Sequence, residues 1–162
     1  MMPFHHQGGW VILLSFIMAF LLNIIPLPEW ADRFRPDWLS LTLIYWCMAL
    51  PHRVGVGIGW LLGLLLDAAK GTLLGQHALG LAVVAFLTVK VHRRIRVFPL
   101  WQQALSVLFI LLINQLLVFW INGMIGYPPH DLWYLAPAIG GMLFWPWIFV
   151  ILRDLRRHFN VL

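Results

Sequence analysis

Seven histidines, one cysteine, three serines and a carboxylate set in an apolar run are the side chains through which this sequence could do chemistry. A metal centre needs clustered ligands. His5 and His6 adjoin, but His52, His77, His92, His130 and His158 are scattered, with no HExxH pattern among them, so no metal site is expected. Cys47 is alone, which excludes an internal disulfide or a thiolate cluster. Ser15, Ser40 and Ser106 lie in apolar surroundings without the GxSxG turn that exposes a nucleophile. Acid–base work by carboxylates needs a pair, and Asp67 has no acidic neighbour at its depth. No Walker A sequence is present either. The residues assign no catalytic group and no cofactor, and the chain is read as a non-enzyme.

The glycines carry more information. Gly55, Gly59, Gly63, Asp67, Gly71 and Gly75 follow one another at intervals of four, which on a helix makes a slowly drifting stripe on one face. Small residues so spaced let two helix backbones approach closely, so Gly55, Gly59 and Gly63 form a helix-contact face. That face serves packing within the bundle or a partner helix; a homodimer of the chain is a separate expectation, with no face assigned to it. Gly71 suits a left-handed helix cap and places Gly75 in the loop beyond. Asp67 lies thirteen residues after Val54, about 20 Å along the helix. A carboxylate at that depth must find a donor, and Lys70, His77 or a loop amide is in reach. It is read as an anchor of the helix end; a proton relay would need further acidic partners.

The elements that position these groups follow from composition. Apolar residues make up 62% of the chain and charged ones 10%, far below the quarter usual in soluble domains. The apolar segments are long and continuous instead of alternating, so an all-α integral membrane protein is expected, a six-transmembrane-helix bundle in one domain over 1–162. The spans fall near 10–27, 36–51, 54–70, 74–90, 100–122 and 134–152, the second to fourth being short. Pro26 and Pro28 end the first, Pro36 opens the second, and Pro128 and Pro129 mark the fifth loop. Pro137 and Pro146 predict kinks in the last. The opening residues contain no Lys or Arg and no cleavage site, so the first span is read as retained.

Arg53, Lys90, Arg93, Arg94, Arg96, Arg153, Arg156 and Arg157 share one side of this topology, against Arg33, Arg35 and Lys70 on the other. The richer side is cytoplasmic, with both termini inside. Trp10, Trp30, Trp38, Trp101, Trp120 and Trp133 fall near the interfaces. The net charge of +5 sits beside the spans and lacks the aromatic interleaving of a nucleic-acid groove. Lys90, Arg93, Arg94, Arg96, Arg153, Arg156 and Arg157 are therefore assigned to anionic lipid or a cytoplasmic protein partner. Asn23, Asn114 and Gln115 are polar groups inside spans, suited to interhelical hydrogen bonds.

The segments "FRPDWLSLTLIYWCMALPHRVGVGIGW", "GLLLDAAKGTLLGQHALG", "LWQQAL" and "WPWIFVILRDLRR", in this order and spacing, resemble the MreD family of rod-shape-determining proteins, in its proteobacterial form. The resemblance implies a multi-pass protein of the bacterial inner membrane that binds MreC. Through MreC it implies work with MreB, RodZ, RodA and penicillin-binding protein 2 in side-wall peptidoglycan elongation. It also implies a fold like the substrate-binding subunits of energy-coupling vitamin transporters, which says nothing of vitamin binding. Relatives often carry an acidic residue in the middle of the fifth span, where this chain has Asn114. The expected function is a non-enzymatic scaffold of cell elongation. The alternative, a small-molecule or lipid carrier, requires a polar cavity near Asp67, Gln76, His77 and the loop before Tyr134.

Overall fold

The computed structural model describes residues 9–25, 28, 37–51, 54–70, 75–124, 126 and 136–158. All regular structure among them is helical: α1 (Gly9–Ile24), α2 (Trp38–Ala49), α3 (Val56–Lys70), α4 (Gln76–Arg96), α5 (Leu100–Met124) and α6 (Ala136–His158). The helices α5 and α6 are long and apolar enough to cross a membrane, while α1, α2 and most of α3 are shorter apolar helices.

Local chemistry sets the ends. Asp37 caps α2, its carboxylate accepting from Ser40 N–H at 3.3 Å and from the Ser40 hydroxyl at 2.6 Å. Gly75 opens α4 at φ 102°, a left-handed conformation that glycine adopts without strain. Pro99 precedes α5, and its carbonyl accepts from Gln103 N–H. The fourth helix runs to Arg96 and the last to His158, each six residues beyond the end of the expected span, because helical hydrogen bonding continues past the point where the sequence turns polar. One sequence expectation needs correcting here. Pro137 lies in the first turn of α6, where no intrahelical N–H is lost, so only Pro146 interrupts the ladder. The expected breaks at Pro26, Pro36, Pro128 and Pro129, the cap at Gly71, and Trp30, Trp133, Arg33, Arg35 and Arg53 lie outside the described residues.

The helix α2 is the axis of the bundle. Every residue from Leu39 to Ala49 is buried, and α1, α4, α5 and α6 pack around it. Trp46 and Trp145 are wholly enclosed in this core, and Tyr45 stacks edge-on against Trp46 and Phe149. The helix α3 lies outside this ring, paired closely with α4. The outer surface is apolar: Leu13, Ile17 and Leu21 on α1, Phe109, Leu116 and Trp120 on α5, and Leu143 and Trp147 on α6 all face outward. Such a surface is what acyl chains wet, and between helices in lipid the cohesion comes from close packing and hydrogen bonds instead of release of water.

Candidate functional site

The sequence-marked residues separate into three clusters, and the first is the α3–α4 hairpin. A side chain added at Gly59 would lie 2.7 Å from the Leu81 carbonyl oxygen, and one at Gly63 would overlap the backbone of Ala78 and meet the His77 carbonyl oxygen at 2.5 Å. The two helices therefore touch backbone to backbone. The face presented by Gly59 and Gly63 is filled by α4 of the same chain, so a partner helix does not reach it, while Gly55 sits at its edge with only Pro51 O near, at 4.0 Å.

Where the stripe ends, Asp67 is fully buried. Its carboxylate accepts from the backbone N–H of Gly75 at 2.9 Å, of His77 at 3.0 Å and of Ala78 at 3.4 Å, and pairs with His77 Nδ1 at 2.7 Å. These are the first amides of α4, which have no carbonyl partners within their own helix. Asp67 thus caps α4 from the end of α3, with a negative charge placed at the positive end of the α4 dipole. Next to it Gln76 donates from Nε2 to Asn122 Oδ1 at 2.7 Å, tying the start of α4 to the end of α5.

The second cluster joins α1 to α2. Asn23 is buried, donates to Asp37 Oδ1 at 3.0 Å and accepts from Trp38 N–H at 3.0 Å, so one amide holds both the capping carboxylate and the first turn of α2. Deeper down, Trp46 Nε1 donates to Ser15 Oγ at 2.8 Å. Between α4 and α5, Asn114 is buried with its amide oxygen against Gly80, where any side chain would overlap it. Gln115, one residue on, is half-buried.

The third cluster is basic and gathers where α2 ends. Arg96 donates from Nε to Met48 O at 2.9 Å and from an Nη to Ala49 O at 2.8 Å, closing the last turn of α2. Arg93, Arg94 and Lys90 are exposed, Lys90 lying over the Phe86 ring at 5.7 Å. On α6 Arg153 lies over Phe149 at 5.6 Å, Arg156 is half-buried and Arg157 is exposed. The structure thus brings the two basic runs to one end and gives Arg96 a partner inside the protein.

Sequence reasoning passed over three partners. Asp37 was not paired with Asn23 because a turn separates them. Gly80 lies outside the four-residue stripe. Gln103 donates to Ile95 O at 3.1 Å and accepts from Trp145 Nε1 at 3.3 Å, bridging α4, α5 and α6. Only its position in "LWQQAL", at the start of an apolar helix, hinted at a buried amide.

The described residues contain no group of three metal-ligating side chains, and the buried Asp67 carboxylate and the amides of Asn23, Gln76 and Gln103 are bonded to the protein itself. With an apolar exterior and helices of membrane-crossing length, this geometry defines a helical membrane protein built around structural polar contacts. Residues 5–155 match the family described as rod shape-determining protein MreD. The chain is also 36% identical over 153 residues to the rod shape-determining protein MreD of Haemophilus influenzae, covering 91% of this chain and 92% of that one. The chain belongs to the MreD family. No solved structure matches it.

Proposed function

We propose that the chain is a non-enzymatic scaffold of the cell-elongation machinery in the bacterial inner membrane. It crosses six times, with both termini and the basic end cytoplasmic, and it binds MreC, supporting side-wall peptidoglycan synthesis with MreB, RodZ, RodA and penicillin-binding protein 2. The observation that carries this reading is the match to shape-determining proteins over nearly the whole chain. The internal bonding of Asp67, His77, Asn23 and Gln103 supports it, since these groups fix helix to helix. Because α4 covers Gly59 and Gly63, contact with MreC falls to the apolar outer faces of the bundle, which every helix but α2 presents, and pairing of two copies does too. The carrier alternative draws no support from Asp67, Gln76 and His77, which bond to neighbouring helices of the bundle.

The test is depletion of the chain in a rod-shaped host, followed by microscopy and by co-purification with MreC. Rounded cells and recovery of MreC from detergent extracts are expected. Cells that remain rods would defeat the proposal.

A further inference from the structure

On the far side of the bundle from the glycine hairpin, α1 and α6 stand apart over α2 and leave a lateral groove of about 500 Å³. One wall is Trp10, Leu14, Met18 and Leu22, at intervals of four along α1, and the opposite wall is Ile148, Ile151 and Leu155 on α6. Ser15 and Thr42 are its hydroxyls, and both are turned to protein: Ser15 Oγ donates to Ile12 O at 2.7 Å, and Thr42 Oγ1 donates to Trp38 O at 2.9 Å. The walls therefore ask for an apolar guest.

Two quantities select the guest. From Trp10 to Leu22 the groove runs twelve residues, about 18 Å of helix. That is close to one leaflet, about half of the ~30 Å hydrocarbon core. A helix about 10 Å across filling the same length would take roughly 1,400 Å³, more than the groove's whole empty space of about 1,100 Å³ with its open side included. The groove also has a polar mouth, because Ile151 and Leu155 line a second pocket together with Asp154, Arg157 and His158. That mouth carries both signs, with the guanidinium of Arg157 suited to a phosphate and the carboxylate of Asp154, exposed and approached by Arg153 Nε only to 3.9 Å, suited to an ammonium.

We propose that this groove and its mouth form a binding site for one phosphatidylethanolamine molecule of the cytoplasmic leaflet, acyl chain between α1 and α6, phosphate on Arg157 and ammonium on Asp154. The site rests on the membrane placement proposed above. Phosphatidylglycerol offers the phosphate but no cation, and phosphatidylcholine offers a cation that cannot donate a hydrogen bond. Neither satisfies both charges.

The test is native mass spectrometry of the full chain released from micelles supplied with equal amounts of the three lipids. One retained phosphatidylethanolamine is expected, favoured about tenfold over each of the others, the equivalent of one charge-assisted hydrogen bond. Asp154→Asn should remove that preference, and Leu14→Trp should fill the groove and abolish retention, each with an unchanged melting temperature. Equal retention of all three lipids, untouched by either variant, would show a nonselective lipid coat and overturn the site. So would a photo-crosslinker at position 14 that captures only protein. Release of the chain from membranes by carbonate would instead overturn the membrane placement, so the two failures are distinguishable.

Discussion

Replacing Gly63 by alanine adds one methyl group at the closest approach of two helices. The new carbon would lie 2.5 Å from the His77 carbonyl oxygen and inside the Ala78 backbone. Carbon and oxygen in favourable contact stand about 3.3 Å apart, so α3 and α4 must part by at least roughly 0.8 Å, and further to clear the nearer Ala78 backbone. No rotamer change relieves the clash, because the atoms met are main chain. Overpacking of this kind costs about 1–3 kcal/mol, and a backbone obstacle places it at the upper end. Displacement of α4 also stretches the bonds from Gly75, His77 and Ala78 to Asp67. Gly57 provides the control: it lies in α3 with nothing within 4 Å of an added side chain. There alanine gains up to about 1 kcal/mol of helix propensity. At about 2–4 °C per kcal/mol for a chain of this size, Gly63→Ala should lower the melting temperature of the purified protein by roughly 4–12 °C. Gly57→Ala should leave it equal or raise it slightly. A Gly63→Ala protein that melts with the wild type would refute the backbone contact.

Asp67→Ala removes the cap of α4 and should cost about 2–4 kcal/mol, read as a lower melting temperature, with Asp67→Asn falling between the two proteins; equal melting of all three would refute the capping role. Gly80→Ala should destabilise the chain by overlap with Asn114, and Asn114→Ala should restore part of that loss in a double-mutant cycle, whereas additive effects would show that the two do not touch. Arg96→Ala should cost about 1–3 kcal/mol by freeing the Met48 and Ala49 carbonyls. Arg93→Ala should leave stability unchanged and weaken association with anionic vesicles in a flotation assay, and the reverse pattern would refute the division between them.

The helices were legible in the sequence because backbone groups in lipid must bond internally, which keeps apolar runs long and uninterrupted. Their basic ends were not. Lys90 to Arg96 and Arg153 to Arg157 read as flanks, yet hydropathy marks where a side chain prefers water and does not mark where the α ladder stops. The spacing of Gly59 and Gly63 announced a close contact, and a choice between the chain's own α4 and a foreign helix needed coordinates, since every apolar helix presents a similar complement. Asn23 could be singled out as a polar group at depth, but Asp37 reads as an ordinary turn residue until the chain brings the two within 3.0 Å. Gln103 shows the same limit, for its partners lie eight and 42 residues away.

The enclosed helix α2 has a consequence for how the protein is made. It is 12 residues long, about 18 Å, so on the placement proposed above it crosses a ~30 Å hydrocarbon core only with its flanking residues or a locally thinner bilayer. Its last carbonyls are held by Arg96, and its flank is sealed by Trp145 and Phe149, all of which leave the ribosome after it. This early helix is therefore among the last to reach its final surroundings. Placed in a bilayer as proposed above, α2 has to be held in a provisional position until the later helices close around it.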